Sequence, residues 1–386
     1  MTEGLPAEGC IDIGLSVADG RIASVDIRNH RNHAALVPLI GHSAEDGVRL
    51  LTRLYSVCRI AQGLAGAAAV EQAAGLRVGA IQDAARSTLL MAETVLEHAS
   101  RAALDWPLLL GEPPDVAAVK ILRAALADFH RDLYPDGDWM CPGGGRLMVD
   151  GKALAGRAMQ AGRCLREAVF GGEAPLNPEA WQQWVAGGKT PAARLVAKLR
   201  ADGLAGFGAS LVTALPDLDS GTLDARLAAD DGAFAARPDW LGSAHETGPL
   251  TRSSNHPLVA AILCEQGAGI EARIAARLVE LDLTAQKMQD YLLGLCNDNG
   301  SMLTLVTGHG LGIVEAARGR LIHRVELQEG CLARYQILAP TEWNFHPAGA
   351  LAQGLVGAPA GADPAYRARL LVAALDPCVA TRVRVL

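Results

Sequence analysis

Apolar and polar residues alternate over positions 11–17 and again over 21–27, with Ala18-Asp19-Gly20 between them, which predicts a β-hairpin. From Ser43 onward the period lengthens. Positions 46–63 and 66–74 read as helices, and 76–104 as a long one. Its residues Ile81, Ala85, Leu89, Ala92, Val95, Leu96 and Ala99 form a stripe near period 3.6. Asp105-Trp106-Pro107 is predicted to end it, and Pro113-Pro114 to open a further helix over 115–130. Positions 135–145 read as a loop, 152–169 and 190–201 as helices, and 203–248, rich in Asp, Gly and Pro, as irregular chain. A long helical signal covers 255–293. Beyond Asp298-Asn299-Gly300 the period falls to about two, so 311–316, 321–327 and 332–338 are predicted strands of a small antiparallel sheet. A last helix is expected over 364–375.

These elements predict an α+β protein, predominantly helical, in which a helical-bundle core carries small antiparallel sheets. No clean boundary divides it, so residues 1–386 are expected to form one domain: a hairpin at 10–28, a helical core at 46–300, a sheet at 311–338 and a C-terminal segment at 363–386. Half the residues are apolar but only 4% are aromatic, and the Ala-rich stretches favour helix. The net charge of -7 and absence of a basic stripe argue against nucleic acid as a partner.

Mean hydropathy is +0.17. Even so, the longest apolar runs, at 64–70 and 370–375, fall far short of the ~20 residues of a spanning helix. No membrane span is expected. The N-terminus shows neither the basic and apolar regions of an export signal nor a twin-Arg pair, so a cytoplasmic location is expected. Cys10, Cys58, Cys141, Cys164, Cys264, Cys296, Cys331 and Cys378 form no Cys-x-x-Cys pair. Free thiols, rather than disulfides or a zinc site, are predicted.

No Ser-His-Asp elbow, Walker loop or dinucleotide fingerprint is present, and Cys141-Pro142-Gly143-Gly144-Gly145 reads as a turn. Singly, each cysteine reads as a small buried hydrophobe and Arg318 as an exposed hairpin residue. The order of several segments changes that. Arg53-Leu54-Tyr55-Ser56-Val57-Cys58 is followed by Ala69-Val70-Glu71-Gln72-Ala73-Ala74-Gly75, then Asp105-Trp106, Pro142-Gly143-Gly144 and Gly248-Pro249-Leu250-Thr251-Arg252. After these come Val314-Glu315-Ala316-Ala317-Arg318-Gly319-Arg320-Leu321-Ile322-His323, Tyr335-Gln336, Pro340-Thr341-Glu342-Trp343-Asn344 and Asp376-Pro377-Cys378. In this order they resemble the landmarks of nickel-iron hydrogenase large subunits.

That resemblance implies a metal site built from two cysteine signatures, with departures. Cys58 matches the second cysteine of the first signature, whose other cysteine position is Tyr55. Cys378 matches the first cysteine of the last signature, whose partner position is Thr381 and whose terminal histidine position is Arg384. Nickel wants soft thiolates, so the resemblance implies no nickel here. The family's iron uses the second cysteine of each signature, whereas this chain keeps the second of one and the first of the other. The family's proton-relay glutamate falls near Leu36, which carries no proton, so no catalytic residue and no hydrogenase activity are expected. Arg318 matches the arginine that sits against the iron's diatomic ligands, and Asp376 belongs with it to the cofactor-binding set. Only Val385-Leu386 follow Arg384, so no maturation cleavage is expected.

The combination is similar to the hydrogenase expression/formation proteins of the HupK/HoxV type. It implies a scaffold that holds an Fe(CN)2CO fragment on Cys58 and Cys378 and passes it on. Its implied partners are a small maturation chaperone, the iron-ligand assembly factors and the apo large subunit. Two other readings stand beside it: a metal-free structural subunit of a respiratory or sensory complex, and an enzyme with an altered metal site. The scaffold reading requires the two sulfurs to lie within a few ångströms of each other.

Overall fold

At the first turn Asp19 and Gly20 both take positive φ, 50° and 72°. This is the primed turn whose twist matches a two-residue hairpin. It joins β1 (Cys10–Ala18) to β2 (Arg21–Asn29). In the computed structural model, which describes residues 9–31, 33–304 and 306–386, a third strand completes this sheet. Here β6 (Ala380–Val385) pairs in parallel with β1, giving the order β2-β1-β6. The sheet is therefore mixed rather than antiparallel throughout. A second three-stranded sheet, β3 (Gly308–Ala316), β4 (Gly319–Gln328) and β5 (Cys331–Leu338), is antiparallel as its alternation predicts, and a short antiparallel ladder joins Arg146–Leu147 to Asp298–Asn299.

The helices differ from the predicted ones at their ends. One helix over 46–63 is in fact the end of α1 (Ala44–Leu54) and the start of α2 (Arg59–Ala74), with the chain irregular between them. Conversely, Gly63 and Gly66 do not interrupt α2. A Cβ on Gly63 would meet the Trp139 ring at 2.6 Å, and one on Gly66 the Tyr335 hydroxyl at 2.7 Å. These glycines admit close neighbours rather than ending the helix. The long helix α3 (Ala80–Ser100) runs on through a π-helical turn, Arg101–Asp105, into Trp106–Leu109, so Pro107 sits harmlessly in a first turn. The predicted 255–293 helix is broken at Gly267 into Pro257–Gln266 and α4 (Ile270–Leu293). The helix α5 spans Pro364–Leu375.

How α2 lies on the second sheet decides where the site forms. Gly308, Gly310 and Gly312 occupy alternate positions of β3 and face Ala73, Ala69 and Ala65 of α2. Two strand residues advance about 6.8 Å and four helical residues about 6 Å, so the two rows stay in step. Without side chains between them, strand and helix backbones touch. The main core runs from Ile11 to Leu375, with Trp106, Trp139 and Trp181 fully buried, and a smaller separate cluster gathers Leu223, Trp240, Ile322, Leu338 and Trp343. No helix among the described residues is long and apolar enough to cross a membrane.

Candidate functional site

Cys58 is the residue from which α2 starts, and its side chain makes no capping bond to that helix. Glu93 of α3 takes over, accepting the Ile60 N–H at 2.7 Å and the Ala61 N–H at 3.0 Å. A carboxylate satisfies those free donors and suits the positive end of the helix dipole. The Cys58 sulfur is left to accept only a weak bond from Gln62 Nε2 at 3.5 Å, one helical turn on.

Cys378 arrives from the opposite end of the chain. Helix α5 ends on Asp376 in the left-handed region, φ 57°. Pro377 then leads out, and the Cys378 N–H donates to Thr341 Oγ1 at 3.3 Å. The same hydroxyl stands 3.1 Å from the Cys378 sulfur. The hydroxyl can donate to the sulfur or accept from the thiol, since its oxygen keeps a second lone pair.

Arg318 sits in the turn between β3 and β4 and is 4% exposed, not the surface residue that a hairpin turn would suggest. Its Nη2 donates to Glu97 Oε2 at 2.8 Å, and its Nε lies 3.5 Å from Asp376 Oδ2. Cys58, Cys378 and Arg318 border one cavity of about 20 Å³, together with Gln62, Glu93, Glu97 and Thr341. The two half-buried thiols, 320 positions apart in sequence, thus face common space. Asp376 is behind the guanidinium and not on the cavity wall.

Burial pushes the Asp376 carboxyl up, but Arg318, Arg277 and Arg101 outweigh it and hold it near about 2. Arg101 Nε is 3.0 Å and Arg277 Nη1 3.5 Å from its oxygens. Burial also opposes the charge of Arg318, but Asp376 and Glu97 more than restore it, so the guanidinium stays cationic. The Cys58 thiol is pushed up to about 12, by burial first and then by Cys378 and Glu93. It is therefore protonated at neutral pH. Burial raises Glu93 to about 7 in spite of its two N–H donors.

That shift has a measurable sign. A carboxyl raised from 4.5 to about 7 favours the folded state fully below pH 4.5, and this contribution is lost as pH rises through 7. We expect melting temperature to fall between pH 5 and 8 more steeply in the native protein than in Glu93→Gln, and parallel curves would refute the assignment.

The positions matched to other family ligands are elsewhere. Tyr55 is buried under the Arg31 guanidinium, 5.8 Å from its ring centre, and Arg31 pairs with Glu342 at 2.8 Å. Thr381 and Arg384 lie on β6 opposite Ile11 and Gly14. Leu36 lines a different cavity, beside Tyr335 and Asp230. None of the other six cysteines borders the thiol cavity. Four of its residues escaped the sequence reading. Gln62 was visible as the i+4 neighbour of Cys58, and Thr341 stood inside a quoted landmark. Glu93 and Glu97 carried no signal, because on an amphipathic helix they read as a solvated face.

Residues 230–384 match the family model described as nickel-dependent hydrogenase. The chain is similar to the hydrogenase expression/formation protein HoxV of Cupriavidus necator, 33% identical over 88% of each chain. It is also similar to the hydrogenase expression/formation protein HupV of Azotobacter chroococcum, 30% identical over 98% of this chain and 99% of that one. Among solved structures, the nickel-iron-selenium hydrogenase of Desulfovibrio vulgaris Hildenborough shares the fold, with a TM-score of 0.69 over 94% of each chain at 17% identity.

Proposed function

The chain belongs to the hydrogenase expression/formation proteins and has an accessory role in making hydrogenase, and we propose that within this role it carries an Fe(CN)2CO unit on Cys58 and Cys378. The observation that supports this most is the convergence of two thiols and a buried guanidinium on one cavity. A bare transition-metal ion usually needs about four protein ligands. Among the described residues no group of three or more His, Cys, Asp or Glu is arranged to hold one. An iron that arrives with three diatomic ligands needs far fewer, and two thiolates suit it. Cyanide nitrogens accept hydrogen bonds, and the buried, cationic Arg318 guanidinium borders the cavity as a donor group.

Nickel has no comparable place in this proposal. The Tyr55 phenol is pushed above its ordinary value by burial and lies against Arg31, so it remains a protonated, hard oxygen. The cavity holds about one water as it stands. Gln62, Glu93 and Glu97 are among its lining residues, and their long side chains would yield as the iron unit enters. The Cys58 proton leaves at the same time, so loading releases protons and is favoured by higher pH. A small maturation chaperone and the iron-ligand assembly factors would deliver the unit, and the apo large subunit would receive it.

Infrared spectra of protein purified without oxygen, read beside iron and nickel content, test this. Cyanide and carbonyl stretching bands with iron and without nickel are expected, and Cys58→Ala should abolish them. Bands that persist in that variant overturn the assignment of the ligand.

A further inference from the structure

Beside the thiol cavity lies an open groove of about 600 Å³, and the two share Glu93 and Glu97 as a common wall. Ser56 and Val57, the residues just before Cys58, line the groove, so this is a side from which another molecule can approach the Cys58 sulfur. A second groove of about 470 Å³ adjoins it across Arg59 and His130 and adds Arg53 and Arg131.

The free charge along this path is cationic, although the whole chain carries -7. The acidic groups are already engaged. Glu97 pairs with Arg318, Asp105 with Arg101, and Glu93 with two backbone N–H groups. Arg53, Arg59 and Arg123, by contrast, have no acidic partner among the described residues. Arg59 is held in place without being neutralised. Its Nη2 lies against the His130 ring, 3.3 Å from Nε2 and 3.4 Å from Nδ1, and Nδ1 donates to the Ala127 carbonyl at 2.9 Å. Burial, and then Arg59 itself, hold the imidazole below its ordinary value, so it stays neutral and adds no charge. A half-buried guanidinium fixed by a neutral ring and facing a groove is poorly compensated until an anion arrives.

We propose that the two grooves form a docking mouth for an acidic peptide segment of a partner protein, with Arg59 at its centre and Arg53 and Arg123 on its rim. The role of the mouth in cargo exchange rests on the iron-scaffold reading, whereas its charge does not. A partner carboxylate meets Arg59 in bidentate geometry, while rim arginines steer the approach and make it salt-dependent. Docking there brings a partner's chain to the wall that separates the groove from Cys58.

Binding of fluorescein-labelled hexaglutamate to the full chain, followed by fluorescence anisotropy at low salt, tests the proposal. The native protein should bind it, hexalysine should not bind, and Arg59→Gln together with Arg123→Gln should weaken binding by about tenfold or more. An Arg163→Gln variant, altered outside both grooves, should bind as the native protein does. Circular dichroism establishes that each variant is folded. Equal binding by native and doubly substituted protein overturns the proposal, as does competition by free glutamate as strong as by peptide at equal residue concentration. Infrared bands that survive Cys58→Ala would refute the iron reading while leaving this result standing, and the converse holds.

Discussion

Replacing Asp376 with asparagine is expected to remove about 3–5 kcal/mol of stability, read as a lower urea midpoint with an unchanged slope. The carboxylate is 4% exposed and stands among Arg101, Arg277 and Arg318. Arg277 is itself fully buried, with Nε and Nη1 lacking any hydrogen-bond acceptor. Arg318 and Arg101 keep Glu97 and Asp105, but removal of Asp376 takes away the ion-pair partner of Arg277 and the anion the three guanidiniums share, so their repulsion in a low-dielectric interior goes less compensated. Asparagine is the informative substitution because it tolerates the left-handed backbone at φ 57° as well as aspartate does, so charge alone changes. The native protein should also show an acid limb that the variant lacks. A carboxyl lowered from 3.8 to about 2 stabilises the fold fully above pH 3.8, and this support is lost as pH falls through 2. A variant with native stability would mean that the arginines find another counter-charge.

The second large effect is expected from Gly312→Ala. A Cβ at this position would overlap the Ala65 carbonyl oxygen and stand 2.6 Å from the Ala69 nitrogen. Both are backbone atoms of a helix, which cannot rotate aside as a side chain would, so α2 has to lift from β3. Overpacking of this kind costs about 3 kcal/mol. It also separates Cys58, at the start of α2, from Arg318, at the turn after β3. Melting temperature and the infrared bands should therefore fall together. Full stability with intact bands would refute the backbone contact.

These glycines also show what the sequence does and does not reveal. The alternation that predicted β3, β4 and β5 is a local pattern, as is the Asp-Gly hairpin, and both are observed. The spacing of Gly308, Gly310 and Gly312 was equally visible, but its meaning lies in Ala65, Ala69 and Ala73, more than 230 residues earlier. The break at Tyr55–Val57 was hidden for a related reason. The stretch is as apolar as its neighbours, and what satisfies the start of α2 is a glutamate from α3. Strand β6 was overlooked because its six residues alternate Val and Thr with Arg at a half-exposed edge, too short a pattern to announce a strand. Within the candidate site, order along the chain identified Cys58, Cys378 and Arg318. Glu93 and Glu97 needed the third dimension.

The parallel pairing of β1 with β6 governs when this pocket can exist. During synthesis the first strand emerges early and its outer edge stays open until the last strand follows, since Cys10 must meet Ala380 and Leu15 must meet Val385. Closing so long a loop is slow, and helices form well before it. Cys378 lies only two residues ahead of β6, so its thiol takes up position near the end of folding, and a growing chain has no completed compartment to fill.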